Sequence, residues 1–300
     1  MVHEAADGPV VPGLVRRIGR KVAVAIASAT VVGTACGSGT PASPPEPAGP
    51  PTPAHVVVVV LENKDTDQVL GSPKAPYLNA LAAGAAVLAD SHAVAHPSQP
   101  NYLALFAGDT FGLTSDRCPL SFDRPNLAGL LTASGRSFTG FAEDLPDPGF
   151  SGCTAGGYAR KHAPWTDFPA LPAEVGKPFS AFGPDYAQLP TVSFVVPNLC
   201  DDMHDCGVAT GDAWLRDHLD GYLRWAAANN SMLVLTFDED DADSADNHIA
   251  TIVAGPMVTP GRYDQRVDHY SVLRTIEDAY QLPHAGQSEN AAPITGIWRS

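Results

Sequence analysis

The chain has 300 residues, of which 44% are apolar and 17% charged, and its formal net charge is −15. This composition supports one large globular core or two small ones, and it excludes a coiled coil, a collagen-like fibre and a multi-span membrane protein. The acidic balance excludes nucleic-acid binding through a basic surface, but small phosphorylated substrates stay possible wherever a metal ion reverses the local field.

Residues 1–36 have the layout of an export signal. A basic stretch at 16–21 precedes fourteen uncharged residues, a run that is short for a membrane span. The run ends at Cys36, which resembles the acylated cysteine of bacterial lipoproteins, although Gly33 stands where that pattern prefers a larger aliphatic residue. We expect export to the cell surface with a lipid anchor at Cys36. A plainly secreted or differently cleaved protein is the alternative, and Arg16-Arg17 is a weak twin-arginine signal.

The next segment predicts a spacer. Residues 41–53 place seven prolines in thirteen positions and offer no apolar surface to bury. We therefore predict a disordered tether over 37–54 and a single domain over 55–300, held just outside a membrane.

Four cysteines remain if Cys36 is lipidated. An even number in an exported chain predicts disulfides. Sequence proximity favours Cys118–Cys153 and Cys200–Cys206, although four cysteines allow three pairings. A zinc site is the alternative, but the chain has no CxxC spacing to support it.

The domain alternates buried strands with helices. Continuous apolar, β-branched runs predict strands covered on both faces, and amphipathic patterns between them predict helices. We therefore predict an α/β fold with a mostly parallel sheet covered by helices on both faces. The predicted strands lie at 55–63, 136–141, 191–196, 232–237 and 249–255, and the predicted helices at 75–84, 126–134, 211–230 and 269–280.

Acidic residues follow four of these strands. They begin at Glu62, at Glu143, at Asp201 and at Asp238. The carboxyl ends of parallel strands meet at one edge of the sheet, where the acidic groups would repel one another without a cation. Oxygen ligands suit Ca²⁺, Mg²⁺ or Mn²⁺, and nearby histidines, His204, His248 and His269, would suit Zn²⁺. The alternative is that these residues cap helices or stay solvated.

Ser98 precedes a helix that we expect to begin near Asn101, with Pro100 in its first turn. A serine at this position is commonly only an N-cap. The functional alternative is a nucleophile whose oxygen, and the phosphate approaching it, face the positive end of the helix.

Several strings in residues 55–300 together carry a family resemblance. They are VVVVLEN (57–63), HPSQPNYLALFAGDTFGLT (96–114), GFAEDLP (140–146), YARKHAPW (158–165), TVSFVVPN and DMHD (within 191–205), GDAWL (211–215), TFDEDD (236–241) and APITGIW (292–298). They resemble the bacterial phosphoesterase family, which includes a mycobacterial secreted acid phosphatase and has phospholipase C-type relatives. The resemblance implies an alkaline-phosphatase-like fold in which a serine or threonine forms a phospho-enzyme beside a divalent metal ion.

Residue by residue, the resemblance implies a set of roles. Ser98 is the expected nucleophile, and His204 and His248 are the other expected catalytic residues, able to protonate the leaving group or activate water. The expected metal ligands are Glu62, Asn63, Asp238 and Glu239. The expected substrate-binding residues are His96, Asn101, Arg160, Lys161, His162, Asp202 and Asp205.

Arg160, Lys161 and His162 form a cationic triplet that either holds phosphate oxygens or is a solvated loop cluster.

We predict an exported phosphomonoesterase acting on small phosphomonoesters, with phosphoinositides among the candidate substrates. One alternative is a phospholipase C or phosphodiesterase acting on lipid head groups. Another is a surface lipoprotein that binds a metal ion without catalysis. The sequence gives no indication of oligomeric state or metal identity.

Overall fold

The computed structural model describes residues 49–241 and 244–299. The predicted export segment, Cys36 and most of the predicted tether lie outside the described residues. The end of that tether packs on the domain: Thr52 Oγ1 donates to the Ala279 carbonyl at 2.8 Å, and the Ala54 N–H donates to the Asn230 carbonyl at 2.7 Å. Thr52 and Ala54 thus contact the domain predicted over 55–300.

Within the described residues, eight strands form one mixed sheet with the order β10-β2-β9-β8-β1-β7-β3-β6. The neighbouring pairs are parallel except at β9, which runs antiparallel to β2 and to β8. The strands are β1 (Val56–Leu61), β2 (Ala86–His92), β3 (Phe138–Ala142), β6 (Gly176–Pro178), β7 (Val192–Val196), β8 (Met232–Phe237), β9 (Thr251–Ala254) and β10 (Gly261–Asp268), and a separate two-stranded ribbon pairs β4 (Thr154–Ala155) with β5 (Tyr158–Ala159).

Helices cover both faces of the sheet, as predicted. They are α1 (Thr66–Val69), α2 (Pro76–Ala83), α3 (Ser98–Ala107), α4 (Leu127–Ala133), α5 (Val208–Ala226) and α6 (His269–Ala279). Alternate residues of β1 point to opposite faces, so Val58 belongs to the core cluster that contains Leu103 and Leu273, and Val59 to the one that contains Leu78 and Leu215. The apolar run of β1 is explained by this burial on both sides.

The two edge strands of the eight-stranded sheet, β10 and β6, escaped prediction for different reasons. β10 is an edge strand whose polar side chains are mostly exposed, so it lacks the apolar run of a central strand. β6 has three residues and includes a proline, which is tolerated at a sheet edge. Helix α3 also begins three residues earlier than expected, at Ser98 itself.

The cysteines pair as sequence proximity favoured. Cys118 bonds Cys153 and Cys200 bonds Cys206, so these four residues form no zinc site. In the described part of the chain, every helix is too short or too polar to cross a bilayer.

Candidate active site

Ser98 lies at the point where two parallel strands, β1 and β8, end. It is the first residue of α3, and its side chain faces Glu62 after β1 and Glu239 after β8. Its Oγ lies 3.1 Å from Glu62 Oε2 and 2.9 Å from Glu239 Oε1, within hydrogen-bond reach of both. The residue is 2% exposed. A buried hydroxyl held between two carboxylates at the N-terminus of a ten-residue helix has the setting that a phosphoryl-accepting serine needs.

Asn63 and Asp238 complete an oxygen-rich group around this hydroxyl. The backbone N–H of Asn63 donates to Asp238 Oδ1 at 3.2 Å, and within the described residues Asp238 Oδ2 is buried without a hydrogen-bond partner. The amide oxygen of Asn63 faces only acceptors, Glu62 Oε2 at 2.6 Å and Asp238 Oδ1 at 3.1 Å. Such contacts repel unless the amide is turned by 180° so that its NH₂ donates to both oxygens, or a cation lies among them.

Burial gives this oxygen-rich group unusual proton affinity. Burial raises the pKa of Glu62 well above its usual range, and the neighbouring Asp202 raises it further. Burial likewise raises the pKa of Asp238, and the charges of Glu62 and Glu239 add to the shift. Buried acids of this kind are stabilised either by protons or by a cation. The four oxygen-bearing side chains and the orphaned Asp238 Oδ2 therefore fit a hard divalent cation.

A second set of buried polar groups adjoins Glu62. His162 Nε2 lies 3.3 Å from Glu62 Oε1, and His162 Nδ1 lies 3.7 Å from Asp202 Oδ2. One ligand atom from each of the three residues falls within 4.8 Å of the others, a spacing that also permits a metal ion. In the part of the chain that the structure describes, His162 Nε2 and Asp202 Oδ2 have no hydrogen-bond partner. Burial raises the pKa of Asp202 to about 8 and lowers that of His162 well below its usual value.

His96 supports the site from the other side of Glu239. Its Nδ1 lies 2.5 Å from Glu239 Oε2, and its Nε2 lies 3.2 Å from the Ser244 carbonyl. Burial lowers the pKa of His96, but these two contacts together raise it above the usual value. His96 thus lies beside an expected metal ligand.

The two cationic residues beside His162 lie in different surroundings. Lys161 Nζ donates to Asp116 Oδ2 at 2.7 Å, and both side chains are partly exposed. The guanidinium of Arg160 is buried and donates to the Ser151 and Thr166 carbonyls, each at 2.8 Å, and to Asp167 Oδ1 at 3.1 Å. The N–H groups of Arg160 therefore donate to acceptors within the protein, and this disfavours the expected contact with substrate.

The expected catalytic residue His204 and the expected substrate-binding residues Asp205 and Asn101 do not lie in the same surroundings. His204 is exposed, its Nδ1 lies 2.7 Å from Asp205 Oδ1, and its ring centre lies 6.4 Å from that of His162. Asn101 Oδ1 instead accepts from two backbone N–H groups, those of Val94 and Ala95, each at 3.0 Å. His204 and Asp205 therefore lie at an open side of the site, whereas Asn101 holds the loop before Ser98.

Among the residues described, His248 contacts residues of β2 rather than Ser98 or the expected metal ligands. Its Nε2 is 3.0 Å from the Ala89 carbonyl, and its ring stacks on His92 with a centre distance of 5.1 Å. The reason is that residues 244–250 lead into β9, which runs antiparallel beside β2. His269 Nε2 donates to the Asp238 carbonyl, 2.7 Å away, so it supports Asp238 through the backbone.

Sequence reasoning missed Tyr102. Its hydroxyl donates to Glu62 Oε1 through a short hydrogen bond, and its ring stacks on His162 with centres 4.9 Å apart and planes 11° apart. Tyr102 occurs in an apolar helix and is 1% exposed, so it resembles an ordinary core residue in sequence. Its spacing of four residues from Ser98, which places both on one helix face, is the one available signal.

The α/β fold and the oxygen-rich group around Ser98 suit phosphoester chemistry, and comparison with known proteins gives the class: a phosphoesterase, an enzyme that hydrolyses phosphoric esters. Residues 72–283 match the Phosphoesterase family, and the chain belongs to that family. The resemblance inferred from the sequence is confirmed.

Two curated relatives illustrate the family. The phosphatidylinositol-3-phosphatase of Mycobacterium tuberculosis (strain ATCC 25618 / H37Rv) is 52% identical over 248 residues, which are 82% of this chain and 83% of that protein. A probable acid phosphatase of Kluyveromyces lactis is 31% identical over 261 residues, which are 80% of this chain and 61% of that protein.

Solved structures confirm the predicted fold. A protein of the alkaline phosphatase superfamily from Vibrio parahaemolyticus matches with a TM-score of 0.55 at 14% identity, over 77% of this chain and 68% of that chain. An inactive murine ectonucleotide pyrophosphatase/phosphodiesterase 5 in complex with AMP matches with a TM-score of 0.54 at 11% identity, over 79% of this chain and 98% of that chain. At these identities the likeness concerns the fold alone.

Proposed function

We propose that the protein is a phosphomonoesterase in which Ser98 forms a phospho-enzyme. The observation that carries this proposal is the position of Ser98 Oγ between Glu62 and Glu239 at the start of α3. Either carboxylate is placed to accept the hydroxyl proton as the oxygen attacks phosphorus. The backbone N–H groups at the helix N-terminus favour the negative charge of the phosphoryl group.

The reaction then has two displacements. Ser98 Oγ forms a bond to phosphorus while the ester P–O bond breaks, and the departing oxygen takes up a proton. Water next attacks phosphorus, the Oγ–P bond breaks, and Ser98 regains a proton as phosphate is released. His204, exposed at the open side of the site, is placed to exchange protons with the leaving group. Lys161, which is partly exposed, adds a positive charge near the site.

Glu62, Asn63, Asp238 and Glu239 would hold a divalent cation at this centre. A bound cation would supply Lewis acidity and offset the repulsion between a doubly charged phosphate ester and the buried carboxylates. Oxygen ligands favour Ca²⁺, Mg²⁺ or Mn²⁺. The neighbouring group of Glu62, His162 and Asp202 contains an imidazole, which would extend the choice to Zn²⁺.

We propose phosphoinositide monoesters as a substrate class because the Mycobacterium tuberculosis relative carries the name of a phosphatidylinositol-3-phosphatase. We also propose export, because the two disulfides suit an oxidising compartment. A lipid anchor at Cys36 stays a prediction from the sequence.

A substrate panel tests the proposal. The full chain is assayed with p-nitrophenyl phosphate, its bis-ester and phosphatidylinositol 3-phosphate, each with and without a chelator. We expect release of phosphate from the monoesters and its loss on chelation. Preference for the bis-ester would instead indicate a phosphodiesterase or phospholipase C.

The variant Ser98→Ala tests the nucleophile. We expect turnover to fall by about 10³-fold or more, with an unchanged melting temperature. Ser193→Ala is the matched control, because Ser193 is also buried and its hydroxyl has no hydrogen-bond partner among residues 49–241 and 244–299. A wild-type rate in Ser98→Ala would refute the phospho-enzyme.

A further inference from the structure

The two carboxylate oxygens of Glu62 face different partners. Oε2 faces the Ser98 hydroxyl at 3.1 Å, on the side of Asn63 and Asp238. Oε1 accepts the Tyr102 hydroxyl and lies 3.3 Å from His162 Nε2. The carboxylate therefore has one oxygen directed at the proposed cation and nucleophile, and another that accepts the Tyr102 hydroxyl beside the His162 ring.

Helix α3 supplies partners to both oxygens. Ser98 and Tyr102 are four residues apart, so they lie one above the other on the helix face that meets Glu62. Two hydroxyls from a single rigid element thus set the rotation of one carboxylate about its terminal bond. Glu62 is 0% exposed, and among the described residues the fixed donor to its second oxygen is the Tyr102 hydroxyl.

Tyr102 also fixes the plane of His162. The two rings lie nearly parallel with centres 4.9 Å apart, and among the described residues His162 Nε2 has no hydrogen-bond partner. Since no hydrogen bond at Nε2 orients the buried imidazole, its packing against Tyr102 contributes to its orientation. The phenol ring is the flat surface against which it lies.

We propose that Tyr102 is a positioning residue with two separable effects: its hydroxyl orients Glu62 for cation binding, and its ring orients His162 toward the substrate. This inference rests on the cation centre proposed above. Groups that hydrogen-bond to metal ligands fix ligand geometry, and their removal commonly costs about 10–100-fold in metal affinity or activity. Tyr102 therefore acts through its neighbours.

Two substitutions separate the two effects. Tyr102→Phe removes the hydroxyl and keeps the ring, and Tyr102→Leu removes both. Mn²⁺ is titrated calorimetrically into chelator-treated protein, and turnover is then measured at saturating Mn²⁺. We expect Mn²⁺ affinity to fall about 10–100-fold in both variants. Turnover should recover at saturating Mn²⁺ in Tyr102→Phe and stay low in Tyr102→Leu, because its His162 lacks a stacking partner.

Tyr222→Phe is the matched control. Tyr222 is equally buried, and its hydroxyl donates to the Met232 carbonyl at 2.9 Å on the other face of the sheet. We expect this control to lose stability without any change in Mn²⁺ affinity. Circular dichroism confirms that each variant is folded.

The outcomes distinguish this inference from the one on which it rests. Wild-type Mn²⁺ affinity in Tyr102→Phe, with normal binding by the wild type, would overturn the role of the hydroxyl. Recovery of turnover in Tyr102→Leu would overturn the role of the ring. A wild-type protein that binds no Mn²⁺, Mg²⁺, Ca²⁺ or Zn²⁺ would overturn the cation centre, and this inference with it.

Discussion

The Nδ1 atom of His96 lies 2.5 Å from Oε2 of Glu239, so the oxygen of Glu239 that faces away from Ser98 already has a nitrogen partner. The other oxygen, Oε1, is thereby directed at the Ser98 hydroxyl 2.9 Å away. Glu62 shows the same division, with Tyr102 on one oxygen and Ser98 on the other. Both carboxylates beside the proposed nucleophile are thus oriented by a partner behind them.

Removing one charge from the oxygen-rich group should separate cation binding from stability. Asp238→Asn keeps the side-chain volume and the acceptor for the Asn63 N–H. We expect cation occupancy to fall at least about tenfold and turnover to be lost with it. In chelator, the variant should be at least as stable as the wild type, because a buried and uncompensated carboxylate has been removed. Elemental analysis and thermal melts measure the two effects.

Asp212→Asn is the control for Asp238→Asn. Asp212 is also buried, but its oxygens accept the backbone N–H groups of Tyr77 and Leu78 at the start of α2. We expect a lower melting temperature and normal cation content. If Asp238→Asn kept full cation content, the proposed ligand set would be wrong.

The two disulfides should differ in what their loss affects. Cys118–Cys153 closes a separation of 35 residues and Cys200–Cys206 one of only 6. Chain entropy gives about 4 kcal/mol of stabilisation for the long loop and about 2 kcal/mol for the short one. The short loop, however, contains Asp202 and His204, so its disruption should reduce turnover more.

Double Cys→Ser variants test whether the disulfide that matters more for stability is the one that matters less for turnover. The variant at 118 and 153 should have the lower free energy of unfolding and keep more activity. The variant at 200 and 206 should have the lower kcat, with the smaller loss of stability. Equal losses of activity in both variants would contradict a positioning role for the short loop.

Arg160 and Lys161, neighbours in the cationic triplet, should respond differently to substitution. Arg160→Lys cannot reproduce the planar set of donors to two carbonyls and Asp167, so we expect a loss of about 3 kcal/mol or more in stability. Lys161→Ala removes a partly exposed pair with Asp116, for which about 1 kcal/mol or less is expected. Its main effect should be a higher KM. Denaturation curves measure the loss of stability in each variant, and steady-state kinetics measure KM. An unchanged KM in Lys161→Ala would show that Lys161 does not take part in substrate binding.

The sequence indicated the site wherever the backbone alone determines which residues meet. Glu62, Asp202 and Asp238 follow parallel strands, and parallel strands end at one edge of the sheet, so their approach was predictable. Glu143 follows a strand at the same edge, yet its oxygens accept from the Asn198 N–H and from Trp214. Which acidic side chains join a cluster therefore depends on packing beyond strand order.

Other features depend on contacts that local patterns do not encode. Arg160 resembles a solvent-facing cation in sequence, but the loop over 143–190 folds back and buries it. His248 follows the acidic run at Asp238, but the chain then turns into antiparallel β9 and stacks it on His92. Such side chains are placed by long-range packing.

Glu277 should make the stability of the fold depend on pH outside the active site. It is 0% exposed and accepts hydrogen bonds from the Ala285 N–H at 2.9 Å and the Ser288 hydroxyl at 2.6 Å. Burial raises its pKa from the ordinary 4.5 to about 7, although those two hydrogen bonds lower it. The folded protein therefore retains a proton that the unfolded chain releases.

It follows that the contribution of Glu277 to stability is full below pH 4.5 and is lost as the pH rises through about 7. Glu277→Gln removes this titration and preserves the hydrogen bonds, because Ser288 Oγ already lies 2.7 Å from the Ala285 carbonyl and can accept from the new amide. Relative to the wild type, the variant should gain free energy of unfolding between those pH values, at up to about 1.4 kcal/mol per pH unit, and then level off. Urea denaturation at a series of pH values measures the difference. The exposed Glu174→Gln should stay within about 0.5 kcal/mol of the wild type throughout, and a flat difference for Glu277→Gln would show that the buried carboxyl titrates alike in the folded and unfolded chain.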